Sequence, residues 1–233
     1  MQKIFVLLLT VLLTACGGGS GSSSSGEGNS AGSETGTQFD GLFQSGEAVM
    51  LVDKANAGKV LISDGSAILY FDRIYTLANE LRLTGVAAIA DGFYFSDPDQ
   101  IVNIYYDGDT ATVSTTINNE PFVYSFDRQK NTLESLDSLV GTFTDPMTGE
   151  SWSLDSAANL TINADCTLSG KLMSEVSFYH TVDVDASGCS DPDFDGSYEG
   201  MAFNVTVDST KYLAGFIYDD AKEAYMWGSV PLN

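Results

Sequence analysis

The stretch Ile101-Val102-Asn103-Ile104-Tyr105-Tyr106, followed by Asp107-Gly108-Asp109, decides the fold. Apolar and polar side chains alternate in it, as they do along a strand with one buried face, and the Asp-Gly pair then favours a tight turn. The same alternation recurs in Phe122–Phe126 and Phe203–Val207. Runs of this kind, separated by Gly, Asn and Asp at intervals of roughly eight to twelve residues, are typical of all-β proteins. The sequence therefore predicts an all-β fold of antiparallel strands.

Residues 72–83 are the segment whose pattern comes closest to that of a helix. Three apolar side chains recur there near helical spacing, at Ile74, Leu77 and Leu81. The flanking segments 67–70 and 81–89 are strand-like, however, and Asn79 is a residue type that readily forms turns. We therefore predict a β-hairpin in this region and little helix in the chain.

From residue 39 onward the chain contains a sparse internal repeat at a shift of about one hundred residues. Gly41-Leu42-Phe43 matches Gly141-Thr142-Phe143, and Val60-Leu61-Ile62 matches Leu160-Thr161-Ile162. Two modules of about 95 residues also fit ordinary domain sizes better than a single module of about 195 residues does. The repeat therefore indicates an ancient duplication.

We predict two tandem small antiparallel modules, each a β-barrel or a β-sandwich, over residues 39–136 and 137–233. The joint is expected within residues 131–139. Three leucines recur there without strand alternation, at positions 133, 136 and 139, and they indicate a short helical turn.

The N-terminus has the order of a bacterial secretion signal. Lys3 precedes an apolar run from Ile4 to Leu13, which is too short to span a bilayer because a helix needs roughly 20 apolar residues for that. The run ends in Leu13-Thr14-Ala15-Cys16, which resembles the lipobox of bacterial lipoproteins. The resemblance implies a signal peptide over residues 1–15 and lipidation of Cys16, which would hold the mature chain on a membrane.

Gly17 follows the lipobox, in place of the aspartate that retains lipoproteins in the inner membrane of enteric bacteria. The resemblance therefore implies an outer-membrane lipoprotein, with the periplasmic and the surface-facing orientation both open. Residues 16–38 contain mainly Gly and Ser and almost no apolar side chain, so they cannot bury enough surface to fold. We predict a flexible tether with a root-mean-square span on the order of 26 Å.

The chain is strongly acidic, with 32 Asp and Glu against 10 Lys and Arg and a formal net charge of −22 at pH 7. Affinity for nucleic acid comes from Lys and Arg that neutralise phosphates, so this composition excludes nucleic acid as a partner. A solvated acidic surface is the commoner cause of such a charge. Binding of cations or of a basic partner is the alternative.

The chain has three cysteines, Cys16, Cys166 and Cys189. Lipidation of Cys16 leaves an even pair, as expected in an oxidising compartment. We therefore predict a Cys166–Cys189 disulfide, which stabilises the fold by about 3 kcal/mol in the chain-entropy model. A metal-binding or catalytic thiol pair is the alternative, but the pair lacks CxxC spacing and a histidine beside either residue.

The second half of the chain carries a further resemblance. Its motifs include Gly141-Thr142-Phe143, Ser169-Gly170 after Cys166, Val182-Asp183-Val184 before Cys189, and Gly196-Ser197-Tyr198-Glu199-Gly200. Together they look like a family of largely uncharacterised two-module lipoproteins of Gram-negative bacteria. The resemblance implies a small antiparallel barrel or sandwich with a disulfide, and it implies no activity. The sequence departs from the family at Asp165, where a glycine is usual.

One acidic loop has the residue types of a calcium site. Asp191, Asp193 and Asp195 alternate before Gly196, as in the first half of an EF-hand loop, and Glu199 follows shortly after. The second half of that pattern is missing, since position twelve is Ala202. These four acidic residues are therefore candidate ligands of a calcium site of another kind, and a solvated acidic loop is the alternative.

The sequence contains no recognisable catalytic motif. It has neither a G-x-S-x-G elbow nor a P-loop nor an HExxH motif. The single histidine, His180, shares a predicted strand face with Phe178, Val182 and Val184, so we interpret it as a satisfied or half-buried strand histidine. These observations predict a protein that is not an enzyme.

Three function classes remain open. The leading hypothesis is an outer-membrane lipoprotein with non-catalytic β-modules that bind a protein or an envelope component. The first alternative is a carrier of a small apolar ligand in a lipocalin-like barrel, which needs an interior that side chains do not fill. An enzyme of unknown type is the second alternative.

Overall fold

The computed structural model describes residues 38–53, 59–64, 66–90, 93–117, 120–130, 133–219 and 224–232. The predicted signal peptide, Cys16 and all of the predicted tether except Gln38 lie outside these residues. None of the helices in the described part has the length and apolar composition needed to cross a bilayer. The fold is all-β with two eight-stranded antiparallel sheets, as the alternation of the sequence predicts.

The first module is a closed barrel in which each strand pairs with the next along the chain. Its strands are β1 (Gly41–Ser45), β2 (Ala48–Asp53), β3 (Lys59–Ser63), β4 (Ala67–Leu77), β5 (Glu80–Ala90), β6 (Phe93–Asp107), β7 (Thr110–Ile117) and β8 (Glu120–Arg128). The barrel closes where β1 pairs with β8, at Phe43 with Arg128 and at Gln44 with Asp127.

Side chains fill the interior of this barrel. In β6 the alternation of the sequence appears directly, because Val102, Ile104 and Tyr106 are buried while Ile101 and Tyr105 are exposed. The buried set belongs to a cluster that contains residues from all eight strands. Burial raises the pKa of the Tyr106 hydroxyl above its ordinary value, so this group stays neutral.

The segment with helix-like spacing is a hairpin, as predicted. Strands β4 and β5 pair from Ala67 with Ala90 to Leu77 with Glu80, and Ala78 and Asn79 form the turn between them. Gly85 has φ of +71° at a register shift between β5 and β6, a backbone conformation that favours glycine.

The second module is an open, strongly curved sheet, a half-barrel. Its strands are β9 (Gly141–Thr144), β10 (Ser151–Leu154), β11 (Asn159–Asn163), β12 (Thr167–Ser174), β13 (Tyr179–Ser187), β14 (Gly196–Val207), β15 (Thr210–Asp219) and β16 (Ala224–Pro231). Strands β9 and β16 are the two edges of the sheet. The repeated motifs open both modules at the same place, since Gly41 begins β1 and Gly141 begins β9.

The joint between the modules contains the short helical turn that the leucine spacing predicts. It is a 3₁₀ helix over Leu136–Leu139, in which the Ser135 side chain accepts a hydrogen bond from the backbone N–H of Ser138. Leu139 is buried in the core of the second module, and Leu133 and Leu136 pack against that core. The joint therefore anchors the start of the second module.

An apolar interface connects the two modules. Outward-facing side chains of β1 to β4 pack there against outward-facing side chains of the second module, namely Leu42, Val49, Leu51, Leu61 and Ile68 against Phe178, Met201, Phe203, Phe216 and Tyr218. Strand β2 is consequently buried along its whole length. Its sequence shows why, since the run Val49–Val52 has no polar residue on either face.

Candidate ligand-binding cavity

A cavity of about 590 Å³ lies within the second module. Most of its lining is apolar and comes from several strands, for example Trp152, Leu160, Ile162, Val184, Phe194 and Ile217. These residues belong to two separate packed clusters of the half-barrel, and the cavity lies between them. A volume of this size falls within the range of small-molecule sites, roughly 300–1,000 Å³.

Glycines at two inward-facing positions beside the cavity leave room for the ring of Trp152. Gly215 alternates with the buried Leu213 and Ile217 on β15, and it pairs across the strands with Gly228 on β16. The seventh and eighth strands of the first module carry the larger inward pair Ala111 and Phe126. The last two strands of the second module therefore carry a smaller inward pair than this pair in the first module.

Trp152 extends from β10 to these glycines. A Cβ atom at Gly215 would lie 3.1 Å from Cη2 of the indole ring, and a Cβ atom at Gly228 would lie 3.5 Å from Cζ2. The ring is only 3% exposed. A side chain at position 215 would displace the indole, whereas an alanine at position 228 would make an ordinary van der Waals contact.

Two buried polar groups in the cavity lining have no hydrogen-bond partner among the described residues. They are Nε1 of Trp152 and Oγ1 of Thr181. A buried polar group left without a partner costs roughly 1–3 kcal/mol. The cavity wall therefore contains an N–H donor and a hydroxyl that a polar atom of a bound ligand could satisfy by hydrogen bonding.

A loop fastened by the disulfide covers one end of the half-barrel. Cys166 and Cys189 are bonded, which confirms the predicted pairing. Phe194 in this loop contributes to the cavity lining, and its carbonyl accepts a hydrogen bond of 2.8 Å from the Tyr198 hydroxyl. Burial raises the pKa of Tyr198 above its ordinary value, so the hydroxyl remains a donor.

The four candidate calcium ligands lie in and just after this loop, but they do not form one cluster. The Asp191 side chain accepts the backbone N–H of Asp193 at the start of a 3₁₀ helix, and Asp195 accepts the backbone N–H of Cys189. Glu199 lies on β14, 3.5 Å from the Tyr218 hydroxyl. No group of three possible metal ligands occurs among the described residues, and calcium binding stays a prediction.

His180 is a half-buried strand histidine, as the sequence predicts, but part of its predicted face differs. Its Nε2 lies 2.7 Å from Oδ2 of Asp53 in the first module. A register shift in β13, with Asp183 at φ of +53°, places Val184 in the cavity wall instead of beside His180. Asp53 is not among the residues predicted from the sequence, although an acidic residue directly after the apolar run Val49–Val52 is a usable signal.

Comparisons with protein-family models, with curated proteins and with solved structures give no match to this chain.

Proposed function

We propose that the protein is a lipid-anchored, non-catalytic carrier of the outer membrane whose second module binds a small, mainly apolar ligand. The cavity between the two packed clusters of the half-barrel is the observation that supports this function. The anchor rests on the lipobox-like residues that end in Cys16.

The chemistry of the wall defines the class of ligand. An apolar ligand gains about 25 cal/mol for each Å² of surface that it removes from water. Anionic ligands are disfavoured, because the chain carries a net charge of −22 and Glu150 and Asp165 lie in the cavity lining. A neutral ligand with one polar group suits the apolar wall and the unpartnered Trp152 N–H.

Binding of the neutral probe N-phenyl-1-naphthylamine tests the cavity. We expect saturable binding with energy transfer from Trp152, measured in a Trp227→Phe background where Trp152 is the single tryptophan. Gly228→Leu adds a side chain to the cavity wall and is expected to weaken binding about tenfold. Ser229→Leu adds the same side chain at an exposed position of the same strand and should leave binding within about twofold.

Thermal unfolding of both leucine variants verifies that the half-barrel is intact. Equal probe affinity in Gly228→Leu and Ser229→Leu, with both proteins folded, would contradict binding in the cavity. The absence of energy transfer from Trp152 would contradict it as well.

The anchor has its own test. Cells that express the protein with Cys16→Ser are expected to lose metabolic labelling of the protein by an alkynyl fatty acid and to release it from the membrane fraction. Cys166→Ser removes a cysteine from the folded module and should leave the label in place. Full labelling of the Cys16→Ser protein would contradict lipidation at this residue.

A further inference from the structure

The two edge strands of the half-barrel approach each other but are not paired in a strand ladder. Within the described residues, β16 is hydrogen-bonded to β15 on one side, and β9 is hydrogen-bonded to β10 on one side. β9 has four residues and β16 has eight, so at most half of β16 can lie opposite β9. Beyond the part opposite β9, no described strand pairs with the outer edge of β16, so this edge is suited to strand addition by another chain.

This edge lacks the features with which proteins usually protect an exposed strand. Natural edge strands carry charged residues, bulges or proline, which prevent pairing with other chains. The sequence of β16 is Ala-Tyr-Met-Trp-Gly-Ser-Val-Pro, which contains no charge and has its proline at the last position. All eight residues pair with β15 in continuous register without a bulge.

The cavity lies directly beside the same edge. Met226, Trp227 and Gly228 of β16 belong to its lining, and Glu150 and Trp152 belong to it on the side of β10, the neighbour of β9. Side chains of an added strand would point alternately to the two faces of the sheet. Every second side chain of such a strand would therefore face the apolar cavity.

We propose that the outer edge of β16 binds an extended, basic segment of a partner protein by strand addition, with an apolar side chain directed into the cavity. Main-chain hydrogen bonds supply affinity in this mode of recognition, and pockets for alternate side chains supply specificity. This partner site goes beyond small-ligand binding, because it uses the backbone of the strand edge.

Acidic side chains near this strand edge favour a basic partner. Glu150 and Asp165 lie in the cavity lining, and Asp219 pairs with Ala224 at the start of β16. Lys171 is the basic residue of the lining, and it lies on β12, three strands away from β9. A second copy of the chain would bring another net charge of −22 to this edge, so a basic segment fits better.

A peptide with alternating lysine and apolar residues tests the proposal. The probe is fluorescently labelled Lys-Val-Lys-Phe-Lys-Val-Lys with blocked ends, titrated into the full chain purified in detergent and followed by anisotropy. We expect saturable binding. Methylation of alternate backbone nitrogens on the face that meets the strand edge keeps the charges and side chains but removes the donors, and should weaken binding about tenfold or more.

A matched pair of protein variants locates the site. Trp227→Lys places a charge on the edge strand, where Trp227 is 40% exposed, and is expected to weaken peptide binding about tenfold. Val123→Lys makes the same charge change on β8 of the closed barrel, where Val123 is 62% exposed, and should change binding less than twofold.

Three results would overturn the proposal. Equal binding of the methylated and unmethylated peptides would show that the strand edge is not used, and equal effects of the two lysine variants would place the site elsewhere. Concentration-dependent dimerisation of the chain that Trp227→Lys abolishes and the peptide does not would assign the edge to a second copy. Probe binding measured in the same samples separates failure of this site from failure of the carrier function.

Discussion

Replacement of Cys166 and Cys189 by alanine is expected to lower the free energy of unfolding by about 3 kcal/mol. The bond joins residues 23 positions apart, and a crosslink over that distance removes about this much chain entropy from the unfolded state. The melting temperature should fall by roughly 6–12 °C, since each kcal/mol corresponds to roughly 2–4 °C in a chain of this size.

Urea unfolding under oxidising conditions measures this effect. Ser190→Ala is the matched control, because it removes the 2.5 Å hydrogen bond from Ser190 to Asp165 in the same loop while the crosslink remains. Its cost should stay near 1 kcal/mol or less. A double-alanine variant as stable as this control would contradict an entropic contribution of the disulfide.

The loop is also expected to affect ligand binding. Phe194 contributes to the cavity lining, and the disulfide holds the loop on which it lies. The double-alanine variant should therefore bind the neutral probe more weakly than the Ser190→Ala control does. The disulfide thus stabilises the fold and fixes one end of the candidate site.

Much of the fold follows from local patterns in the sequence. The alternation in residues 101–106 predicts a strand because its period of two matches the geometry of a sheet with one buried face. The hairpin over β4 and β5 and the 3₁₀ helix at Leu136–Leu139 follow from turn residues and leucine spacing in the same way. The disulfide follows from the number of cysteines and the compartment that the lipobox implies.

The cavity could not be predicted in this way, because it depends on pairing between strands. Nothing in the sequence distinguishes Gly215 and Gly228 from other strand glycines. The register of β15 with β16 makes them cross-strand neighbours, and both contact the ring of Trp152. The register shift in β13 has a similar effect, since it moves Val184 into the cavity wall. Contacts of this kind depend on the register of the strands and on the curvature of the sheet, which brings β10 near β15 and β16.

Asp53 and His180 form a contact between the two modules that no pattern in the sequence predicts. Loss of this contact is expected to lower the stability of the fold. His180→Ala should lower the free energy of unfolding by about 2 kcal/mol, because it removes one close contact of a carboxylate that is only 1% exposed. Asp53 keeps a further interaction in this variant, so the loss stays below that expected for an isolated buried charge.

A double-mutant cycle with Asp53→Ala measures the coupling between the two side chains by urea unfolding. We expect the double variant to lose clearly less stability than the sum of the single variants, because each single variant already removes the contact between the two side chains. Glu120→Ala removes an exposed carboxylate from the same barrel and should change the stability by no more than about 0.5 kcal/mol. Strict additivity of Asp53→Ala and His180→Ala would mean that the pair contributes no coupling, and that the apolar contacts of Phe178 and Met201 alone hold the modules together at this point.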